Sequence, residues 1–341
     1  RYRDLNNIQL IPIEIDNKKF VMLDYHKADK LNKIVDNHKA CIWSDLHETY
    51  IMSVKNENII SLINDFEGIA RIIINKSIKV NDALLKKTLY EHTYIKDVTF
   101  ISCPVQYIVT LMMRNYSENT IRTYHHLLLK YLNSFKNNTI EQINQFNNNV
   151  INRYLERVSQ SENISASTIN QTINAIKFYY KHILNRDIEV NDIIRPKKPK
   201  NIPDVFSREE IEKILSVIQN IKHKSMIMLL YSSGLRVSEL LNLQPPDILT
   251  DRMLIKVRSA KGRKDRITLL SKKSHFLLRE YYKKYRPKYW LYEGPYGGQY
   301  SASSIRQVLK AAKEKAKINK PGSLHSLRHS YATHLLENGT D

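Results

Sequence analysis

The sequence predicts a mainly α protein. A helical domain is followed by an α-rich domain with a small antiparallel sheet, and a small α+β N-terminal domain precedes both. Three observations predict this. The first hundred residues alternate apolar and polar side chains in short runs, the period of strands. From residue 103 the apolar positions recur every three or four residues, the period of helices. Glycine is scarce, 8 in 341 residues, and all but Gly68 fall after residue 230, where tight turns between short elements are needed.

Residues 1–102 form the α+β unit. "IQLIPIEI" and "KKFVMLDY" alternate around the turn-like "DNKK" and predict a hairpin; "KACIWS" and "ETYIMSV" predict a second. "NENIISLINDFEGIA" and "NDALLKKTLYEH" predict short amphipathic helices. This segment carries no chemical motif and is expected to be an accessory unit.

Residues 103–194 predict a bundle of about four short helices. Ile121, Tyr124, Leu128, Tyr131 and Phe135 share one face, with Ser117 as N-cap. Thr139 and Gln142 stand in capping-box spacing. Ile169, Ile173, Ile176, Tyr180 and Ile183 line another helix, whose opposite face carries Asn170, Asn174, Lys177 and Lys181. Such a polar, basic face suits either solvent or a nucleic-acid backbone.

Residues 195–206 begin with "RPKKPKNIP". Proline keeps such a stretch extended and out of helices, so it predicts a basic linker. In residues 207–341, Ser207 and Glu210 form a second capping box, and helices are expected at 207–219 and 222–232. Gly234 makes a turn before a helix from about Arg236. "MLIKVRSAKGRKDRITLL" predicts two strands around a basic turn at Gly262. Helices near 272–285 and 303–317 precede a closing helix in "LHSLRHSYATHLLENGTD", residues 324–341.

The charge points to a partner. A formal +20, with an isoelectric point near 9.7, suits a polyanion. Residues 1–100 hold 15 basic and 14 acidic side chains, against 39 and 20 in the rest, so nearly all the excess lies after residue 100. That asymmetry suggests a nucleic-acid surface on the later domains; scattered surface lysines are the plain alternative. Cys41 and Cys103, far apart and outside any CxxC, exclude a disulfide scaffold or a cysteine zinc site and suit a reducing cytoplasm. "MIMLLY", about the longest apolar run, is far short of a membrane helix. The chain opens on Arg1 and stops inside a helical pattern. It is therefore expected to be a fragment, and its lack of a signal peptide says little.

Three segments of the last domain carry candidate chemistry: "SSGLRVSELLNL", "AKGRKDRITLL" and "LHSLRHSYATHLLENG". Singly they are weak. Arg236 and Glu239 form a local pair, and Lys261 sits in a solvated turn. His325 and His329 have a metal-binding spacing, but no third ligand stands near them in the sequence, so a histidine-metal hydrolase is a poor alternative. Together, in this order, the segments resemble the tyrosine recombinases, or phage integrases, which include the Xer recombinases. The resemblance spans residues 103–341 and is most specific over 324–341.

The resemblance implies a helical core-type DNA-binding domain at 103–194, a linker at 195–206 and a C-terminally incomplete catalytic domain at 207–341. It implies attack by a tyrosine on a DNA phosphodiester, giving a 3′-phosphotyrosine and a free 5′-hydroxyl, with no metal and no small-molecule cofactor. Arg236 and Arg328 match the two clamp arginines. Guanidinium, planar and permanently charged, suits the non-bridging oxygens of the transition state. Lys261 matches the acid for the leaving 5′-oxygen, and His325 the histidine that donates to the phosphate or moves a proton. Glu239 matches the support of the first arginine. His329 and His334 match structural positions, with Tyr331 and Leu335 as core. Arg122, Lys130, Lys177, Lys181, Lys197, Lys198, Arg263 and Arg266 are the expected DNA contacts. The family's nucleophilic tyrosine lies beyond Asp341, and none of the chain's 21 tyrosines has its context, so the fragment is expected to bind double-stranded DNA without cutting it. The complete protein is expected to act as a homotetramer on paired sites, in the cytoplasm, as a mobile-element integrase. A catalytically inert, integrase-derived DNA-binding protein is the alternative.

Overall fold

The computed structural model describes residues 5–75, 78–161, 164–191, 204–258, 265–294 and 297–339. The chain divides into two units, residues 1–200 and 201–341.

The first unit opens with β1 (Asn6–Ile15) and β2 (Lys18–Tyr25), the expected hairpin. Asp16 and Asn17 turn it, both at positive φ, so the two-residue loop follows the twist of the strands. α1 (Asp29–Asn37), a helix outside the sequence expectation, precedes the second hairpin, β3 (Cys41–Ser44) and β4 (Thr49–Ser53). α2 (Asn56–Asp65) is shorter than the periodicity suggests. Gly68 turns the chain at φ 72°, and Ala70–Ile74 becomes β5, parallel to β1. The sheet order is β3-β4-β2-β1-β5. β5 pairs only with Asn6–Leu10 of β1, so Pro12, with no N–H to give, lies past the end of that pairing. Ile8, Leu10, Val21, Leu23, Met52 and Ile72 meet α1 and α2 in one core.

α3 (Ala83–Glu91), capped by Asp82, leads into five further helices where about four were expected. These are α4 (Val105–Met113), α5 (Glu118–Leu132), α6 (Ile140–Asn144), α7 (Asn148–Ser159) and α8 (Ala166–His182). Ser117, Thr139, Asn147 and Ser165 each accept a backbone N–H at a helix start, and Thr139 with Gln142 completes the capping box. The stripes expected on α5 and α8 supply the second core. Glu91, at the end of α3, accepts hydrogen bonds from Ser102 Oγ, the Cys103 N–H and His125 Nε2, and so ties the sheet portion to the bundle.

The second unit holds α9 (Arg208–Ser216), started by the Ser207–Glu210 capping box, α10 (Ile221–Ser232) and α11 (Val237–Leu241). A 3-10 turn at Pro245–Asp247 leads into β6 (Ile248–Leu249), β7 (Leu254–Val257) and β8 (Arg266–Leu269). β7 and β8 are the two expected strands; the two-residue β6 makes the antiparallel sheet three-stranded. α12 (Lys272–Tyr285), α13 (Ala302–Lys315) and α14 (Leu324–Glu337) complete it. α10 has no strong apolar stripe because it is central. Met226, Ile227, Leu229 and Leu230 are all buried, with α12 and α14 packed against it.

Candidate functional site

The site is assembled from the ends of three elements of the second unit: the start of α11, the start of β8 and the first turns of α14. After α10 the chain turns at Gly234, whose φ is 56°. Leu235 is buried there, which directs the next residue, Arg236, towards the surface as the N-cap of α11. The i, i+3 spacing read in the sequence then acts twice. The Arg236 N–H donates to Glu239 Oε2 at 2.8 Å, and Arg236 Nη1 donates to Oε1 at 2.7 Å. Glu239 itself is only 6% exposed.

α14 brings the third segment. Leu324 and Leu327 are buried in the core, which leaves His325 exposed and Arg328 half-buried. Ser330 Oγ accepts from the Phe206 N–H at 2.8 Å, and Tyr231 bonds His334 Nδ1 at 2.9 Å. These bonds hold the helix in place and give His334 the structural position expected of it. Arg328 Nη1 donates to the carbonyl of Gly234 and lies 3.9 Å from Glu239 Oε2. Tyr331 packs over Gly234; a Cβ on that glycine would overlap its ring. Tyr331 and Leu335 are half-buried rather than core.

Arg266 was expected to contact DNA. Its Nη2 donates to Glu239 Oε2 at 2.7 Å. Nothing in the sequence links it to Glu239, 27 residues earlier, because the pairing depends on how β8 leaves the hairpin. Three guanidiniums thus face one carboxylate.

The electrostatics follow. Burial alone would raise the Glu239 pKa, but hydrogen bonds from Arg266 and from both the backbone and side chain of Arg236 hold it down at about 2. The Arg328 pKa is lowered, first by burial and then by Arg236 and Arg266. The His325 pKa is lowered by burial, then by His329, Arg328 and Arg236, so the imidazole is neutral near pH 7. Its ring meets that of His329 edge-on at 4.5 Å. The two arginines and the histidine are therefore close enough to feel each other's charge. Three cations against one anion leave a local excess of two positive charges beside a neutral imidazole, an arrangement suited to an anion with several oxygens.

Lys261 and Arg263 of the hairpin turn, and Lys197 and Lys198 of the linker, lie outside the described residues. In the first unit, Arg122 lies over the Tyr90 ring at 5.4 Å, and Lys181 pairs with Asp187 at 3.0 Å. Lys130 is exposed and Lys177 half-buried. Among the described residues no group of three or more His, Cys, Asp or Glu side chains is placed to hold a metal ion, and no helix is long and apolar enough to cross a membrane.

Comparison with known proteins bears on the same segments. Residues 204–341 match the phage integrase family, and residues 106–190 the phage integrase N-terminal SAM-like domain. A putative integrase/recombinase of Sinorhizobium fredii is 32% identical over 233 residues, 68% of this chain and 74% of that protein. The tyrosine recombinase XerA of Pyrococcus horikoshii is 32% identical over 240 residues, 69% and 80% of the two chains. Among solved structures, the XerH site-specific recombinase bound to a palindromic difH substrate shares the fold. Its TM-score is 0.56 at 19% identity, over 84% of this chain and 86% of that one. A lambda integrase dimer bound to a core site gives a TM-score of 0.53 at 14% identity, over 69% and 89%.

Proposed function

This chain belongs to the phage integrase family, the tyrosine recombinases, and from that premise we propose that it is part of an enzyme that cuts and rejoins double-stranded DNA through a 3′-phosphotyrosine. The family membership supports a site-specific DNA recombinase or integrase. The observation that carries the finer reading is the meeting of Arg236 and Arg328 around buried Glu239, with His325 near enough to both arginines to feel their charge.

In this reading the scissile phosphate sits against the exposed edges of Arg236 and Arg328. When a tyrosine oxygen attacks phosphorus and its phenolic proton passes to solvent, the phosphodiester goes through a five-coordinate state with two negative charges. The fixed guanidiniums stabilise that state without reorganising. His325, held neutral, donates its N–H to a non-bridging oxygen. Lys261 gives its proton to the departing 5′-oxygen. The phosphotyrosine keeps the bond energy, so the freed or exchanged 5′-hydroxyl reseals the strand by the reverse path. Lys130, Lys177, Lys197 and Lys198 supply backbone affinity. On this reading the nucleophile is a tyrosine that is not one of the residues gathered at the clamp, and four copies of the protein hold paired sites.

The test is covalent trapping of the complete protein on duplex DNA nicked beside the scissile phosphate. A protein–DNA adduct that survives denaturant is expected. Arg328→Ala should lower its rate of formation by about 10²- to 10³-fold. Duplex affinity should stay within a few-fold, because binding is spread over many phosphates. No adduct from the complete wild-type protein would leave a DNA-binding relative without strand chemistry.

A further inference from the structure

Arg266 is the least explained cation of the site. It opens β8, in register with Val257 of β7. Its Nη2 is committed to Glu239 Oε2, and its Nε is buried without a hydrogen-bond partner among the described residues. A side chain placed to bind a DNA backbone would keep its donors free in solvent. This one gives one donor to a buried carboxylate and buries another, although the side chain as a whole stays 29% exposed.

The two oxygens of Glu239 have different neighbours. Oε1 takes Arg236 Nη1. Oε2 takes Arg266 Nη2 and the Arg236 N–H, and Arg328 Nη1 waits 3.9 Å away, beyond hydrogen-bond reach. Arg328 is the cation most exposed to capture. It has a buried carboxylate within a small side-chain movement, and a direct guanidinium–carboxylate bond is among the strongest a protein makes. Captured, it would face Glu239 instead of a ligand. With Oε2 occupied, Arg328 keeps its bond to the Gly234 carbonyl and an edge towards the site.

We propose that Arg266 is a positioning residue of the clamp: by occupying Oε2 of Glu239 it keeps Arg328 off that carboxylate and available to the scissile phosphate. This rests on the function proposed above. It also sets the charge balance. Three guanidiniums and one carboxylate leave two positive charges, matching the two negative charges of the five-coordinate phosphorane. Without Arg266 only one remains.

The test compares Arg266→Gln and Arg266→Lys in the complete protein. Arg266→Gln should slow adduct formation at saturating DNA by about 10- to 100-fold. Duplex affinity should stay within about two-fold, with an unchanged salt dependence. Arg266→Lys, which still brings a cation to Oε2, should recover part of the rate. A crystal structure of Arg266→Gln should find Arg328 bonded to Glu239 Oε2. If Arg266 is instead a backbone anchor, the slope of log affinity against log salt falls by about 0.9 while the rate at saturation holds; that result overturns the proposal. So does a variant structure in which Arg328 stays where it is. The crystallographic arm needs no cleavage, so it decides the point even if the wild-type protein forms no adduct.

Discussion

Two buried carboxylates, one in each unit, are built alike and used differently. Glu91 is 2% exposed and Glu239 6%. Both have pKa values held below the ordinary range although burial alone would raise them. Glu91 is held down by His125, Ser102 and the Cys103 N–H, and His125 and Cys103 are themselves buried. Its oxygens are used up inside the fold, tying α3 to α5 and the entry to α4. Glu239 is held by Arg236 and Arg266, whose side chains stay 36% and 29% exposed. The depth of a carboxylate therefore says little about its role. What separates a fastening from a site is whether its partners end in protein or in solvent.

Glu91→Gln is the largest test of that contrast. The substitution leaves buried His125 facing an amide, and losing a buried hydrogen bond to a charged carboxylate costs about 1.5–3 kcal/mol. Because the Glu91 pKa is depressed in the fold, its stabilisation is complete above the unfolded carboxylate value of about 4.3 and is lost as pH falls below it. The variant should therefore be less stable at pH 7 and show a flatter loss of stability below about pH 4. The chain has one tryptophan in each unit, Trp43 and Trp290. Urea unfolding followed by Trp43 fluorescence, in a Trp290→Phe background, reads the first unit alone. Strand cleavage per folded molecule should not change. If cleavage fell with Glu91→Gln as it does with clamp variants, the division between fastening and site would be wrong.

Gly234→Ala sharpens the comparison from the other side. It touches no charge, yet it moves the carbonyl that holds Arg328. Alanine at φ 56° costs about 1–2 kcal/mol. Its Cβ would also overlap the Tyr331 ring. Trp290 fluorescence should report that loss in the second unit, in a Trp43→Phe background. Adduct formation should slow by more than the lost folded fraction explains. A slowing that matches the folded fraction would mean that the Gly234 carbonyl does not set Arg328.

Much of this contrast was open to a reader of the sequence, and the missing part has a physical reason. Arg236 and Glu239 are legible because i, i+3 neighbours on a helix start must meet. Both capping boxes are legible for the same local reason, and each forms as read. The alternating runs gave the two hairpins. β5 went unread, with only its first residue, Ala70, inside the expected helix, because three consecutive isoleucines have neither strand nor helix period; only its pairing with β1 decides it. α1 is short, with only Leu31 and Val35 buried, too few positions to set a period. The Arg266–Glu239 and Glu91–His125 contacts join residues 27 and 34 apart. Composition and periodicity hold no information about such pairs, and both carboxylates owe their roles to them.

The smallest effect concerns charge tied into neither carboxylate. Lys197 and Lys198 belong to the stretch read from the sequence as a basic linker, outside the described residues. If they track a DNA backbone, each neutralised phosphate contributes about 0.9 to the slope of log affinity against log salt. Reversing both charges should then flatten that slope by about 1.8, measured by titration of labelled duplex from low to physiological salt. The rate of strand cleavage at saturation should hold, since neither lysine meets the reacting phosphate. An unchanged slope would make the segment a tether alone. It would then place the backbone affinity on exposed Lys130, half-buried Lys177 and their neighbours in the helical part, which stand outside both networks.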